Sequence, residues 1–523
     1  AAMGAARQVF IRGLIALSST LVITTNGLQL IADGEGSGLL MQHDAAGVTP
    51  RIVVRIQAAK VTLSGLTITS NHPLTSHTTI NDIGIDMAVD STVISGLRIL
   101  GCKIHHVMHC ITRLAGAGAS IAEDIRIENT EMVSFGRYGV YVQARARGGR
   151  LTRCRIFGRE YGETHAQVGN GVWWGNFGDY FEMVGNEIAF CGRHGVEFWN
   201  SQDSPVNTDG NFDAMLVNNR IHDMLNAPES FGISAFGNGV IGIYNNKVAG
   251  CTLGIETYGD KTNLAFIHCI GNAVTEWGHN TFNAQAFSIN GVRGGKYSQN
   301  YIGPPAGLLT HNNTRGMEVW NGGSDIEITD NRFHDAGVVN LMVNGKALTI
   351  TGISQAADGV FTTSATIDTS VNNGWAVGKR IYLTGIGGMT ALNGKYYTIT
   401  FVSGTQFRVG VNTSAMAAYT SGGRVLERWD NITIDNNKFR RSVVPGVSGN
   451  TEIKSPLWVF EIQNAIITNN RSWVKSGLGL STFAISDWGT VYIGPTDATT
   501  VTAASPSDLF VLGSTNIEVA FAT

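Results

Sequence analysis

Glu197, Glu256 and Glu318 sit in three near-copies of one hexapeptide: GVEFWN at 195–200, GIETYG at 254–259 and GMEVWN at 316–321. Carboxyl groups that recur in one frame suit chemistry that needs a pair of them. Glycoside hydrolysis is such chemistry. A carboxylic acid protonates the leaving oxygen while a second carboxylate attacks or activates water, at about 5–5.5 Å for retention and about 6.5–9.5 Å for inversion. Two residues after each glutamate stands an aromatic side chain, Trp199, Tyr258 or Trp320. Rings beside carboxylates suit sugars, whose C–H faces stack while their hydroxyls bond to acidic groups.

Further carboxylates lie in stretches that read as long turns: Asp203 and Asp209 in NSQDSPVNTDG, Glu163 in REYGETH, Asp260 in YGDK. Each could lean over the same face, and each is also an ordinary turn residue. The rival chemistry is elimination from a uronic-acid polymer, which needs a cation against the substrate carboxylate and a base. Arg193, His194, Lys261, Arg293, Arg315 and Tyr258 qualify by position. No dense Asp cluster of the kind calcium takes is present. HHVMH at 105–109 reads as a turn without the phasing or carboxylate partners of a zinc motif. Neither a metal nor another cofactor is expected, and no phosphate loop, nucleophile elbow or cysteine-protease pattern occurs.

The glutamates need elements that place them in line, and a repeat supplies these. Asn followed by any residue and then an aliphatic or aromatic one recurs as NEI 186, NRI 219, NKV 246, NAV 272, NYI 300 and NRF 331, at steps of 33, 27, 26, 28 and 31. Cys154, Asn129 and Cys102 extend the register upstream; NKF 437 and NRS 470 resume it downstream. A variable period in the high twenties, built of short β segments, predicts an all-β, right-handed parallel β-helix whose asparagines stack as a hydrogen-bonded ladder.

Within each coil a second strand follows: GVYV 139, GVWW 171, GVEF 195, GISA 232, GIET 254, FSIN 287 and GMEV 316. Strand side chains alternate faces. Val140, Val172, Val196, Ile233, Ile255 and Met317 therefore point inward. Tyr141, Trp173, Glu197, Ser234, Glu256, Ser288 and Glu318 form an outward column, flanked by Gln143, Gly175, Trp199, Phe236, Tyr258, Asn290 and Trp320. An exposed aromatic stripe marks a binding surface, and a long, repeating groove suits a long, repeating ligand. Trp173, Trp199, Phe236, Tyr258 and Trp320, with Arg193 and Lys261, are the expected sugar contacts. Coils stack at about 4.8 Å, so Glu197 and Glu256, or Glu256 and Glu318, stand about 9.6 Å apart along the backbone. Glu256, shared by both pairs, is the first candidate for catalysis, ahead of Glu197, Glu318, Asp203 and Asp209.

Composition agrees with this organisation. The 523 residues hold 65 Gly against 10 Pro, and Val, Ile, Thr and Asn alternate in short bursts. With 37 Lys plus Arg against 40 Asp plus Glu, no basic stripe supports nucleic-acid binding. No apolar run approaches the roughly 20 residues of a membrane span. Six cysteines without CxxC spacing read as buried free thiols, fitting synthesis in a reducing cytoplasm. The expected segments are a β-helix over 1–345, an inserted antiparallel β module over 346–427, a β-helix continuation over 428–475 and a C-terminal β oligomerisation region over 476–523.

The module carries LTGIGGMTALNGKYYTI at 383–399, which is similar to small β modules of phage tail proteins. Together with the asparagine-marked coils and a short β C-terminus, it gives the chain a resemblance to bacteriophage tailspikes, the polysaccharide depolymerases of the pectate lyase-like β-helix type. The resemblance implies a homotrimer in the virion tail, acting outside the cell on capsule or the O-antigen of lipopolysaccharide. It also implies attachment to the remaining tail proteins through an N-terminal region that is missing here. Both hydrolases and lyases occur among such proteins. A non-catalytic host-binding adhesin or structural spike is the alternative of a different class.

Overall fold

A computed structural model describes residues 7–42, 51–71, 82–88, 94–114, 121–143, 146–159, 169–175, 180–199, 214–225, 230–236, 239–259, 265–278, 284–306, 314–320, 324–336, 339–344, 347–367, 377–427, 430–441, 457–462, 465–474, 483–487, 491–493 and 517–519. The chain divides into two compact units. The first comprises Ala1–Tyr258, Ala265–Phe287 and Gln299–His311; the second comprises Gly259–Leu264, Ser288–Ser298 and Asn312–Thr523.

The first unit is a right-handed parallel β-helix. One sheet stacks Gln8–Ile11, Gln29–Ala32, Thr62–Ser64, Arg98–Leu100, Arg126–Glu128, Gly149–Thr152, Phe181–Val184, Ala214–Val217, Gly239–Tyr244 and Ala265–Ile270 in that order. After each of the last five of these strands the chain turns sharply at one left-handed residue: Arg153, Gly185, Asn218, Asn245 and Gly271 in turn. The next residue points inward and joins the ladder. Asn246 shows the pattern: its Nδ2 donates to Leu216 O at 2.8 Å and to Asn272 Oδ1 at 3.0 Å, while its Oδ1 accepts from Asn219 Nδ2 and N, each at 2.9 Å. Asn186, Asn219, Asn272 and Asn300 repeat it, all buried. The amides satisfy backbone groups that the turn leaves buried, which is why Asn rather than an apolar residue recurs there.

The ladder corrects one expected rung. Thr130, not Asn129, lines up with Cys154 and Asn186, because Glu131 pairs with Arg155 and Arg155 with Glu187. Asn129 takes the left-handed position, φ 49°, which asparagine tolerates better than most residues. HHVMH likewise lies inside the strand Lys103–Arg113 rather than in a turn; His106, φ 53°, bends that strand at a coil corner.

Another row of strands carries the glutamate column: Leu21–Ile23, Ile52–Ile56, Ile83–Met87, the end of Lys103–Arg113, the end of Glu131–Val142, Val172–Gly175, His194–Trp199, Phe231–Phe236 and Leu253–Tyr258. The expected core positions Val140, Val172, Val196, Ile233 and Ile255 are fully buried between the sheets. The six cysteines are buried and free.

The second unit holds further parallel coils. Arg293–Ser298, Ser324–Thr329, Asp430–Asp435 and Ala465–Thr468 stack in order, and Asn331 Nδ2 donates to Asn437 Oδ1 at 3.0 Å across 106 positions. Between these neighbouring rungs, seven antiparallel strands from Ala347–Ile353 to Arg424–Glu427 form a separate sheet. That sheet has its own core of Ile350, Phe361, Ile381, Leu383, Phe407 and Val425. Asn393 explains part of the module's signature: its amide accepts from Ile386 N at 2.8 Å and donates to Ile386 O at 2.9 Å. Parallel pairing continues past residue 476, with Phe483–Asp487 on Leu457–Ile462. Among the described residues, no helix is long and apolar enough to cross a membrane.

Candidate functional site

Register places the expected column in one line. In the first unit Thr112 pairs with Tyr141, Tyr141 with Trp173, Trp173 with Glu197, Glu197 with Ser234 and Ser234 with Glu256. Two residues on, Gly175, Trp199, Phe236 and Tyr258 line up in the same way. Glu197 and Glu256 are therefore two coils apart with the Ser234 hydroxyl between them, about 9.6 Å along the backbone.

The column is not the open stripe that alternation alone suggests. Glu197 is 5% exposed, Ser234 1% and Glu256 9%; Trp173 and Phe236 are half-buried and Tyr258 is buried. Side chains on successive coils cover one another. The Tyr141 and Trp173 rings are 4.9 Å apart, and Phe236 stacks on Tyr258 at 4.6 Å. Trp173 also folds its indole across Gly175, where a Cβ would stand 2.3 Å from the ring.

A second effect brings in residues that strand alternation does not align. A glycine stands two places before Tyr141, Trp173, Glu197, Ser234, Glu256 and Glu318, at the corner where the column strand begins. A Cβ on Gly195 would meet Ile221 at 2.5 Å and the Gly232 carbonyl oxygen at 2.7 Å, so no larger residue fits. At this corner the chain folds so that residues three apart meet. Tyr138 stacks on Tyr141 at 4.3 Å, and His194 Nε2 lies 3.6 Å from Glu197 Oε2. His109 extends the ring stack, 5.4 Å from Tyr138.

Glu197 is the better supported carboxylate. Asn170 Nδ2 donates to its Oε2 at 2.5 Å. Burial pushes its carboxyl above the ordinary range, while hydrogen bonds from Asn170 and Trp173 and the charge of exposed Arg193 pull it back. Burial and the Arg193 charge hold the His194 ring down at about 3, so it is neutral near pH 7. Its Nδ1 accepts from Phe231 N at 3.3 Å, which leaves the ring proton on Nε2, toward Glu197. Glu256 has less help. Ser234 Oγ donates to its Oε2 at 3.2 Å, and burial, reinforced by the Glu197 charge, pushes it up to about 7. Burial raises both carboxyls of the column, and Glu256 has fewer groups opposing that rise.

In the second unit Glu318 is 4% exposed and paired with Arg315 Nη1 at 2.9 Å. Half-buried Trp320 donates from Nε1 to Ser288 Oγ at 3.0 Å. Asp203, Asp209, Lys261, Glu163 and Asp260 lie outside the described residues, as do the side chains of Trp199 and Arg293. Among the described residues, no group of three or more His, Cys, Asp and Glu could hold a metal ion. Asn170 and Leu253, and His194 as a partner of Glu197, were missed in the sequence. Their signal was the residue before each glycine, in NGVW, HGVE and LGIE.

Residues 83–270, which contain Glu197 and Glu256, match the family model described as right handed beta helix region. No curated protein matches the chain. Among solved structures, the chain is similar to the catalytic unit of thermostable GH87 alpha-1,3-glucanase from Streptomyces thermodiastaticus strain HF3-3, at 10% identity and TM-score 0.42, over 64% of this chain and 59% of that one. The match thus spans less than two thirds of the glucanase unit. It is also similar to the Dettilon tailspike protein, at 14% identity and TM-score 0.35, over 80% and 87% of the two chains. The tailspike protein of E. coli bacteriophage HK620 in complex with pentasaccharide gives 12% identity and TM-score 0.32, over 80% and 81%.

Proposed function

We propose that this β-helix is a phage tailspike that binds a bacterial surface polysaccharide along the glutamate column and cleaves it within the chain by hydrolysis. One observation carries the reading: two buried carboxyls in one column, one serine rung apart, of which Glu256 is pushed up to about 7 and Glu197 is held by Asn170. Glu256 then supplies the proton to the leaving oxygen, and Glu197 takes one from the attacking water. Their spacing of about two coils leaves room for that water, as inversion requires. Half-buried Trp173, one coil before Glu197, and half-buried Phe236, on the coil of Ser234, offer ring surface beside the pair. The homotrimer, and the attachment to other tail proteins, belong to this proposal.

Elimination is the second reading, because Arg193 and neutral His194 set a cation beside a base on the same coil. Incubation of the purified chain with candidate capsules and lipopolysaccharides separates the readings. Hydrolysis releases reducing ends without the ultraviolet absorbance of an unsaturated uronate; elimination produces that absorbance; binding without either product supports the adhesin. Glu256→Gln and Glu197→Gln should each lower the cleavage rate by about 10²–10⁴-fold. Full activity in both variants removes the column from catalysis.

A further inference from the structure

The outward column does not begin at Tyr141. Tyr141 pairs with Thr112, Thr112 with Asp86 and Asp86 with Arg55. Arg55 therefore stands five coils before Glu197, about 24 Å along the backbone. The rung before it is Val22, apolar and 45% exposed, so the polar part of the column starts at Arg55. These three polar side chains are connected. Thr112 Oγ1 donates to Asp86 Oδ1 at 3.1 Å, and Asp86 Oδ2 lies 3.4 Å from Arg55 Nε. Thr112 is fully buried, the Asp86 side chain is 8% exposed and that of Arg55 38%. An ordinary surface ion pair exposes both partners and fixes neither. Here the carboxylate is buried on a hydroxyl, holds the guanidinium at its Nε edge, and leaves only the cation to reach solvent.

We infer that Arg55 is a second recognition point for the polysaccharide, seating a carboxylate or phosphate substituent on a sugar unit remote from the bond that is cut. The inference rests on the proposed function for the presence of a polysaccharide along the column, and not on the chemistry that cuts it.

Among the described residues, the two terminal nitrogens of Arg55 meet no partner. A guanidinium whose Nε edge is occupied keeps those two donors, and they match two oxygens of a carboxylate or phosphate. A sugar hydroxyl would use one donor; an anion uses both and gains the charge as well. Between Arg55 and Glu197 the column supplies ring surface on which the intervening sugar units would rest. Tyr138 stacks on Tyr141 at 4.3 Å and Tyr141 meets Trp173 at 4.9 Å, all three half-buried.

The test measures binding to the full Glu256→Gln chain by calorimetry, with the polysaccharide that the parent binds in the capsule and lipopolysaccharide incubations as the probe. Three forms are compared: native, with its carboxyls reduced to alcohols, and with its phosphates removed by hydrofluoric acid. One of the two treatments should weaken binding by about tenfold or more. Carboxyl reduction then identifies a carboxylate, and dephosphorylation a phosphate. Adding Arg55→Ala should weaken the native form by a similar factor and leave the treated form unchanged. Arg55→Lys, which keeps the charge without the fork, should fall between. Parental affinity of Arg55→Ala for the native form overturns the inference. So does a probe that neither treatment weakens, or a chain that binds no acidic polysaccharide. If Arg55→Ala does not fold with Asp86 left unpaired, Arg55→Met with Asp86→Asn removes both charges and decides by the same comparison. Should Glu256→Gln still cleave the probe while Arg55→Ala raises KM on the native form alone, the catalytic reading falls and this one stands. An inactive Glu256→Gln chain whose affinity is indifferent to Arg55 does the reverse.

Discussion

Glu256 binds its proton more tightly in the folded chain than in the unfolded one, so folding must respond to pH. Burial lifts the carboxyl from an ordinary 4.5 to about 7. Its contribution to stability is full below about pH 4.5 and is lost as pH climbs through about 7, amounting to about 3 kcal/mol. His109 and His194, both pushed down to about 3 by burial, act the other way. Their contribution is present above about pH 6.5 and fades as pH falls. The net curve of the parent therefore mixes opposite slopes, and the Glu256→Gln variant isolates one of them. Its urea midpoint, relative to the parent, should rise between pH 5 and pH 8, because glutamine carries no charge to bury. An equal difference at both pH values would show that Glu256 is not buried as described. The position of this residue was legible in the sequence, since Ile255 and Val196 fix which neighbours point outward. Its burial was not. Alternation along one strand does not report how side chains on successive coils cover one another, as Phe236 and Tyr258 do.

At the scale of the turn, adjacent asparagines do different work, and the sequence showed only half of it. Asn246 is a ladder rung; Asn245, φ 55°, makes the left-handed bend before it. The repeat of Asn-x-aliphatic was readable because each rung needs an inward amide followed by a core residue. The bend residue was less readable, because Asn, Gly, Arg and Gln all serve there. This ambiguity is what shifted Asn129 into the rung that Thr130 occupies. Asn246→Ala should cost about 2–4 kcal/mol, since it strands the buried Asn219 N–H and several further ladder bonds at once. Asn245→Gly should change stability by less than about 1 kcal/mol, because glycine adopts the same bend freely. Urea midpoints of the two variants check the contrast; equal losses would show that the ladder does not carry the load assigned to it.

Across the whole molecule, the seven-stranded sheet is an excursion that the coils do not need. Ser324–Thr329 pairs directly with Asp430–Asp435, and Asn331 reaches Asn437, so the rungs close across the inserted strands. The two ends of the excursion lie side by side, because Ala347 pairs with Leu426 in antiparallel register. Paired strands are about 5 Å apart, a gap that a linker of a few Gly and Ser residues spans. Replacing 347–427 by such a linker should leave a folded β-helix with an unchanged ladder. The excised module should fold by itself around Phe361, Ile381 and Phe407, whose burial is complete within its own sheet. Its lack of the coil period and its GIGGMTALNG turn are what made it stand out from the repeat. If Glu197 and Glu256 perform the cleavage, the shortened chain should retain it on soluble oligosaccharide. Circular dichroism and thermal midpoints of both fragments, with a reducing-end assay on the shortened chain, decide the matter. Loss of folding would tie the coils to the module, while loss of cleavage in a folded chain would place part of the site in the inserted sheet.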